Sequence, residues 1–336
     1  MHFLVTGHTG FKGAWLTVML NRLGHQVSGI SLDPEPDSLF SLGNLDKLLE
    51  NDFRQDIRNS SEIHKTISKI RPDVVIHMAA QSQVLASYEY TYETFDINVT
   101  GTLNLLEATK DLPEIKAILI VTTDKVYKNS GVLNRYKETD ALGGKDPYSA
   151  SKAMADILTQ SWQASCSSPP IGIARAGNVI GGGDNSKDRL IPNLMESINK
   201  GSSLSLRNPD AIRPWQNVLD CLNGYLMAVD KIIETKKNDV WNFGPNENVC
   251  RTVLELAKYV IEITKSQTKL EKNLINHHQE DKLLLIDSTK ARTELNWSEK
   301  LNFESSVKST VGWYLKGTNL TSLDFMTNEI NNFYSL

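Results

Sequence analysis

The stretch Phe3-Leu4-Val5-Thr6-Gly7-His8-Thr9-Gly10-Phe11-Lys12-Gly13 joins a short apolar run to a turn that contains three glycines. The apolar run is typical of a buried β-strand, and Phe11 to Leu23 repeats apolar side chains at helical spacing. In a strand–turn–helix unit the glycines let backbone amides at the helix N-terminus approach a pyrophosphate. The spacing is G-x-x-G-x-x-G rather than the strict G-x-G-x-x-G, and a glycine turn alone could be a plain loop. The flanking strand and helix favour a dinucleotide site.

Short β-branched runs alternate with helical segments as far as about residue 178. Residues 73–77 and 117–121 lack polar alternation, which indicates strands buried on both faces of a parallel sheet. We therefore predict an α/β protein with a Rossmann-type doubly wound parallel sheet and a smaller mixed α/β substrate-binding lobe. The predicted sheet domain comprises residues 1–178 and 214–244, and the predicted lobe comprises residues 179–213 and 245–336.

The 336 residues suffice for about two domains, or for one large unit with an elaborated lobe. A net charge of −4 provides no overall attraction to nucleic acid or to anionic membranes. The three cysteines lack C-x-x-C spacing, which argues against a disulfide framework and a cysteine-rich zinc site. No apolar run approaches the roughly 18 residues of a membrane helix, and the first residues lack a secretion-signal pattern. We expect a cytoplasmic protein without a metal, a nucleic-acid partner or a membrane partner.

Asp33 ends the second predicted strand, 20 residues after Gly13. A carboxylate there would accept hydrogen bonds from an adenosine ribose and repel a 2′-phosphate, so NAD is favoured over NADP. Asp33 could instead simply begin the Asp-Pro turn with Pro34. Asp56-Ile57 could hold the adenine, and the small residues in Ala79-Ala80-Gln81 would let the backbone pass beneath the cofactor.

Tyr148 and Lys152 are four residues apart, so they share one helical face. The lysine charge would lower the pKa of the phenol, which could then accept a hydroxyl proton near neutral pH. An exposed helix pair with no function has the same spacing. The run Val121-Thr122-Thr123-Asp124-Lys125 favours the catalytic interpretation, because it follows a buried strand at the sheet edge where ligands bind. The alternative is a strand that ends in a solvated charged turn.

Longer motifs resemble the extended short-chain dehydrogenase/reductase superfamily and, within it, the CDP-glucose 4,6-dehydratases. The matching segments are G-H-T-G-F-K-G at 7–13, H-M-A-A-Q at 77–81, T-D-K at 123–125, D-P-Y-S-x-S-K at 146–152, R-A-G-N-V-I-G-G-G-D at 175–184, D-R-L-I-P at 188–192, R-P-W-Q at 213–216 and W-N-F-G-P at 241–245.

The resemblance implies an NAD-dependent elimination of water from a nucleotide hexose, with CDP-glucose as the expected substrate. Tyr148 would take the C4 hydroxyl proton with the help of Thr123 and Lys152, while hydride passes from C4 to NAD. Lys125, or a water that it orients, would remove the C5 proton as Asp124 protonates the departing C6 hydroxyl. Hydride would then return to C6.

The resemblance also implies two sets of binding residues. The cofactor set is Gly7, Thr9, Gly10, Phe11, Lys12, Gly13, Asp33, Asp56, Ile57, Ala79, Ala80, Gln81, Asn98, Thr122, Tyr148 and Lys152. The substrate set is Gln81, Ser82, Thr123, Asn178, Arg189, Leu190, Arg213 and Glu280. Relatives dimerise through helices that would here span 88–110 and 148–165, which implies a homodimer or a higher homo-oligomer.

Two departures put the identity of the nucleotide or sugar in doubt. Ser82 and Asn217 stand where these dehydratases often have Pro and His, respectively. A 4-epimerase would need Thr123, Tyr148 and Lys152 but no acid–base pair, so Asp124-Lys125 argues against that activity. A non-catalytic NAD-sensing protein on the same fold would typically lack the tyrosine–lysine pair.

Overall fold

The computed structural model describes residues 1–129, 135–166, 169–186, 189–246, 250–272, 284–316 and 320–336. Seven parallel strands form the central sheet, in the order β12-β7-β5-β4-β1-β2-β3. From β1, the strands β2 and β3 extend the sheet on one side, and β4, β5, β7 and β12 extend it on the other side. This order confirms the predicted doubly wound fold. The strands of the sheet are β1 His2–Thr6, β2 Gln26–Ser31, β3 Asn51–Arg54, β4 Val74–His77, β5 Ala117–Val121, β7 Ile171–Ala176 and β12 Asp239–Phe243.

Among the described residues, four two-stranded sheets lie outside the central sheet and pair β10 with β13, β11 with β8, β14 with β9, and β15 with β6. Only the first of these pairs is antiparallel. Their strands are β6 Arg135–Tyr136, β8 Val179–Ile180, β9 Leu204–Leu206, β10 Ile212–Pro214, β11 Gln216–Asn217, β13 Cys250–Thr252, β14 Leu270–Lys272 and β15 Leu285–Ile286.

Thirteen α-helices connect and cover these strands within the described ranges. They are α1 Phe11–Arg22, α2 Leu39–Gly43, α3 Ser60–Ile70, α4 Val84–Glu89, α5 Thr91–Phe95, α6 Gly101–Thr109, α7 Pro147–Ser165, α8 Leu190–Lys200, α9 Val218–Thr235, α10 Val253–Thr264, α11 Thr289–Leu295, α12 Phe303–Leu315 and α13 Ser322–Ser335. No described helix has the length and apolar character needed to cross a membrane.

The sheet is buried on both faces because its strands alternate apolar side chains between two cores. On β1, Phe3 and Val5 pack into the core that contains α1 and α9, whereas Leu4 packs into the core that contains α3 and α6. Successive residues of a strand point to opposite faces, so a continuous apolar run is required here. This explains why the predicted strands lacked polar alternation.

A third apolar core joins α8, α10 and α12 and includes Leu194, Leu256 and Val307. These helices belong to the predicted lobe of residues 179–213 and 245–336. The C-terminal helix α13 falls in the same predicted segment, but its Phe325 and Met326 pack into the core beside α1. The division of the chain into two domains remains a prediction.

Local signals explain where the functional helices begin. The Asp146 side chain accepts a hydrogen bond from the Ser149 amide, and Pro147 occupies the first turn of α7. An aspartate N-cap followed by proline is a strong helix-start signal, and it places Tyr148 in the first turn. The helix implied over 88–110 is divided: α5 is followed by a π-helical turn at Asp96–Thr100, and α6 begins at Gly101.

Candidate active site

A cavity of about 830 Å³ opens at the carboxyl ends of the central strands. It extends from the glycine turn after β1, past the ends of β4 and β5, to α8 and β10. Nearly all of the predicted site residues line it; the exceptions are Asn98, Asp124 and Glu280, of which Glu280 lies outside the described residues. The structure therefore brings the predicted cofactor, substrate and catalytic groups to one cavity.

The glycine turn permits a close approach of two loops where the sheet order reverses. Gly7 has a φ of +76°, and a Cβ there would lie 2.7 Å from the Ala79 amide nitrogen. A Cβ on Gly13 would lie 2.1 Å from the Gly7 carbonyl oxygen. Only glycine fits either position. Helix α1 begins without a side chain capping its first amides, so they can bind an anion such as a pyrophosphate.

At the far end of β2, the Asp33 side chain is 89% exposed, and its Oδ1 lies 3.8 Å from the Arg54 Nε. The Thr9 hydroxyl, in the glycine turn, forms a 2.6 Å hydrogen bond with the Ser31 hydroxyl at the end of β2. Asp56 lines the same end of the cavity, and its hydrogen bonds with Arg58 lower the pKa of its carboxyl. Exposed Asp33 can accept hydrogen bonds from a diol without breaking a buried interaction.

Asn98 positions a cavity loop but does not line the cavity itself. Its Oδ1 accepts a hydrogen bond from the Gln81 amide at 2.9 Å, and its Nδ2 donates to the Gln81 carbonyl at 3.0 Å. The same Nδ2 donates to the Ser151 hydroxyl on α7 at 2.8 Å. Asn98 lies in the π-helical turn and is almost fully buried. The predicted contact with the cofactor remains a prediction.

The phenol of Tyr148 does not have the lowered pKa that the sequence analysis expected. Burial raises the pKa of Tyr148 to about 12, although a hydrogen bond with Thr123 and the charge of Arg189 act in the opposite direction. The Lys152 Nζ donates to the Val121 carbonyl at 2.7 Å, and burial lowers the pKa of Lys152 to about 8. Burial outweighs the helical proximity of the two groups in this structure.

Asp124 and Lys125 begin a 3₁₀ turn directly after β5. The Thr123 hydroxyl donates to Asp124 Oδ1 at 3.0 Å. Asp124 lies just beneath the cavity wall, where a Cβ on Gly177 would be 3.1 Å from its Oδ2. Burial raises the pKa of Asp124, so its carboxyl keeps a proton to higher pH than a solvated aspartate does. Lys125 is half-buried and lines the cavity.

The predicted substrate residues form the opposite side of the cavity. Arg189 and Leu190 lie at the start of α8, Arg213 lies on β10, and Asn178 follows β7. The two arginines are suited to a diphosphate because guanidinium groups form paired hydrogen bonds with phosphate oxygens. No cluster of three or more potential metal ligands occurs among the described residues.

A buried polar network lies behind the predicted catalytic groups and was not predicted from the sequence. Arg175 forms two hydrogen bonds of 2.8 Å with Asp156, and Thr122 donates to the same carboxylate at 3.0 Å. Arg175 also donates to the Tyr127 hydroxyl at 2.9 Å, which in turn donates to Asn242 at 2.7 Å. Asp156 lies four residues after Lys152, on the same helical face, which was the one available signal. The network joins β7, β12 and α7 to the segment that follows β5.

The fold and the cavity define a dinucleotide-dependent enzyme of the Rossmann class. The family model for GDP-mannose 4,6 dehydratase matches residues 4–310 of the chain. A curated CDP-glucose 4,6-dehydratase from Salmonella typhimurium is 38% identical over 321 residues, which cover 92% of this chain and 89% of the relative. A dTDP-glucose 4,6-dehydratase from the same organism is 29% identical, covering 95% of this chain and 94% of the relative.

Solved structures agree with this assignment. The dTDP-glucose 4,6-dehydratase of Bacillus anthracis, in complex with NAD, superposes with a TM-score of 0.81 at 26% identity and covers 95% of this chain and 97% of that one. The UDP-glucose 4-epimerase of Thermotoga maritima, at 23% identity, has the same fold, with a TM-score of 0.83 over 94% of this chain and 99% of that one. The protein belongs to the GDP-mannose 4,6 dehydratase family. The predicted superfamily and the predicted class of enzyme, a 4,6-dehydratase, are confirmed.

Proposed function

We propose that this protein is an NAD-dependent nucleotide-sugar 4,6-dehydratase that converts CDP-glucose into CDP-4-dehydro-6-deoxyglucose and water. The observation that carries the proposal is the convergence of Thr123, Lys125 and Tyr148 at the cavity that contains the glycine turn, with Asp124 just beneath its wall. An alcohol oxidation alone needs no additional acid and base beside the tyrosine. The similarity to the curated CDP-glucose enzyme supports the choice of nucleotide.

The cavity fits NAD in three respects. The glycine turn has no room for Cβ atoms, the first amides of α1 have no side-chain cap, and exposed Asp33 stands at the end of β2. A carboxylate at that position favours an unphosphorylated ribose. When bound, NAD supplies a reversible hydride acceptor, and the positive charge of its oxidised ring would favour the phenolate form of Tyr148.

The residues of this chain then move four protons. Tyr148 Oη accepts the proton of the C4 hydroxyl, with Thr123 hydrogen-bonded to the phenol. Once C4 is a ketone, the C5 proton is acidic and Lys125 Nζ accepts it. Asp124 donates a proton to the C6 oxygen, which leaves as water, and Lys125 returns a proton to C5 when C6 is reduced. Two protons leave the sugar and two are donated, so the protons balance. The reaction is redox-neutral because a reversible hydride acceptor would return to the sugar the two electrons that it takes.

The buried position of Asp124 supports its role as the acid. An acid must hold its proton at the working pH and release it to the leaving group. Burial raises the pKa of Asp124 toward that range, while Lys125, the Thr123 hydrogen bond and Arg213 limit the rise. The rate of water loss should therefore fall as pH increases through the pKa of Asp124.

The test is to incubate the protein and NAD with CDP-, dTDP-, GDP- and UDP-hexoses and to follow the mass of each nucleotide sugar. We expect CDP-glucose to lose one water and the Tyr148→Phe variant to be slower by about 10²–10⁴-fold. The exposed Tyr334→Phe variant, on the C-terminal helix, is the matched control. Formation of CDP-galactose without water loss would instead identify a 4-epimerase, and NAD binding without any turnover would identify a sensor.

We further propose that the protein acts as a homodimer in the cytoplasm. Large apolar side chains are exposed on neighbouring helices, with Tyr92 on α5 82% exposed and Met154 and Ile157 on α7 about half exposed. An exposed apolar patch of this kind is typical of a protein–protein interface. None of the three cysteines forms a disulfide, which is the usual situation in a reducing compartment.

A further inference from the structure

Polar contacts lead from the glycine turn across the edge of the sheet to Asp33. The His8 Nε2, in the turn, lies 2.9 Å from Asp52 Oδ1 on β3. The other oxygen of the same carboxylate, Oδ2, accepts a hydrogen bond from an Arg54 Nη2 at 2.6 Å. The Arg54 Nε in turn lies 3.8 Å from Asp33 Oδ1. Both oxygens of Asp52 are therefore engaged, one by the turn and one by the arginine.

The register of the edge strands explains how these residues meet. Asp52 on β3 pairs with Gly29 on β2, and Arg54 pairs with Ser31. Alternate residues of a strand point to the same face, so the Asp52 and Arg54 side chains share a face. A Cβ on Gly29 would lie 2.4 Å from His8 Nδ1. The missing side chain of Gly29 thus lets the His8 ring pass over β2 and reach Asp52.

The surroundings of His8 hold Asp52 in one orientation. The His8 side chain is fully buried, and its Nδ1 has no hydrogen-bond partner among the described residues. A buried N–H without an acceptor is costly, which favours a proton on Nε2 that is donated to Asp52. The Phe40 ring contacts both ends of the row, with its centre 5.3 Å from the His8 ring centre and 5.1 Å from the Arg54 guanidinium carbon.

The pairing leaves Arg54 without a free charge for a ligand. Asp33 lines the cavity just after β2, and Arg54 lies beside it on β3 with its side chain only 29% exposed. A guanidinium at this position would suit a phosphate, because it can form paired hydrogen bonds with phosphate oxygens. Asp52 already accepts such a hydrogen bond, and two carboxylates flank the one guanidinium. A phosphate on the ribose would therefore meet an excess of negative charge.

We propose that Asp52 is a second determinant of cofactor specificity: by holding Arg54 in an ion pair, it withholds the cation that a 2′-phosphate would need, and so acts with Asp33 against NADP. Asp52 acts through Arg54 and is a positioning residue. The inference rests on the proposed function only in that Asp33 is taken as the partner of the adenosine ribose. It further implies that removing Asp33 alone frees little of the Arg54 charge.

The test is calorimetric binding of NAD and NADP to the full chain without sugar, expressed as the ratio of the NADP affinity to the NAD affinity. We expect Asp33→Ala to raise this ratio about tenfold, because it removes one repulsive charge. Adding Asp52→Asn should raise the ratio a further 10–100-fold or so, since the released guanidinium forms charge-assisted hydrogen bonds with the phosphate. An asparagine can still accept the His8 Nε2 proton, but its amide nitrogen offers Arg54 a donor.

Arg54→Met, added to that double variant, should abolish the further gain, which separates an effect of the arginine from a general change in the turn. Asp52→Ser is a second variant without the charge and should give a similar ratio. In each variant, NAD binding shows that the site is folded. Exposed Asp46→Asn, combined with Asp33→Ala, is the matched control and should add nothing.

A ratio no higher in the double variants than in Asp33→Ala alone would overturn the proposal. A gain that persists when Arg54 is replaced would also overturn it, because the phosphate would then have another partner. The measurement involves no nucleotide sugar. If no sugar nucleotide loses water with the original protein, the proposed reaction fails, while the two cofactor affinities still decide the role of Asp52.

Discussion

Arg175 on β7 and Asp156 on α7 form a doubly hydrogen-bonded ion pair in which the two side chains are only 1% and 0% exposed. The pair fixes α7, which carries Tyr148 and Lys152, to the strand that ends beside Gly177. Removing only one partner of a buried ion pair leaves the other charge buried and unpaired, and this lowers the free energy of unfolding.

Asp156→Ala should reduce the free energy of unfolding by about 3–5 kcal/mol, because it leaves the Arg175 charge buried and unpaired. Urea denaturation measures this value. The matched control is Glu196→Gln, which breaks an exposed ion pair with Lys200 and should change stability by less than about 1 kcal/mol. Equal effects of the two variants would contradict the structural role of the buried pair.

Asp33→Ala should weaken NAD binding by about 1.5–3 kcal/mol, because charge-assisted hydrogen bonds to the ribose are lost. The same change should improve NADP binding, since it removes a negative charge and leaves Arg54 nearby to meet the 2′-phosphate. Calorimetry with both cofactors checks the outcome, with exposed Asp46→Ala as the control. Unaltered affinity for both cofactors would show that Asp33 only begins its turn.

His77 makes stability depend on pH. Its ring is buried at the end of β4 between the hydroxyls of Thr6 at 2.7 Å and Thr102 at 3.1 Å, and burial lowers its pKa to about 3. Between that pH and the ordinary value of about 6.5, the unfolded chain binds a proton that the folded chain does not. The neutral ring therefore stabilises the fold above about pH 6.5, and this contribution is lost as pH falls.

His77→Gln should remove that component. The difference in unfolding free energy between the original protein and the variant should shrink by about 2 kcal/mol as pH falls from 7 to 5, at about 1.4 kcal/mol per unit. Denaturation at several pH values measures the difference. His64→Gln, on the exposed side of α3, should leave the pH dependence as it is; a constant difference for His77→Gln would mean that the ring protonates while folded.

Ile157→Glu should convert the proposed dimer to a monomer, because it places a charge in the exposed apolar patch of α7. Sedimentation equilibrium should show at least about a tenfold weaker association. Leu315→Glu adds the same charge at an exposed position at the end of α12 and should leave association intact. A monomeric starting protein, or a dimer that tolerates Ile157→Glu, would place the interface elsewhere.

Much of the fold could be predicted from short-range patterns. The run Phe3 to Gly13 specified a strand, a turn and a helix, because strand and helix periodicity and the steric freedom of glycine are local properties. The Asp146-Pro147 cap likewise places Tyr148 in the first turn of α7. The continuous apolar runs at 73–77 and 117–121 required a sheet covered on both faces, because each side chain in them had to be buried.

The environment of each site residue could not be predicted in this way. Tyr148 and Lys152 share a helical face, yet the pKa of the phenol rises because elements far along the chain exclude water from it. The surroundings of Asp124 come from Gly177 and Pro214 as well as from its own turn. The pKa of a side chain depends on burial and on the charges of all its neighbours in space. Spacing along the sequence identifies only the neighbours on the same helix or strand.

The amino-acid sequence alone thus determined the dinucleotide-binding fold, the family and the set of polar residues available for chemistry, since all three depend on local periodicity and contiguous motifs. Tertiary structure alone decided that Lys12 meets Tyr225, 213 residues further along the chain, and that Asp124 is buried beneath the cavity wall. These contacts arise where helices and strands pack together, and their energies depend on distances that no local pattern contains.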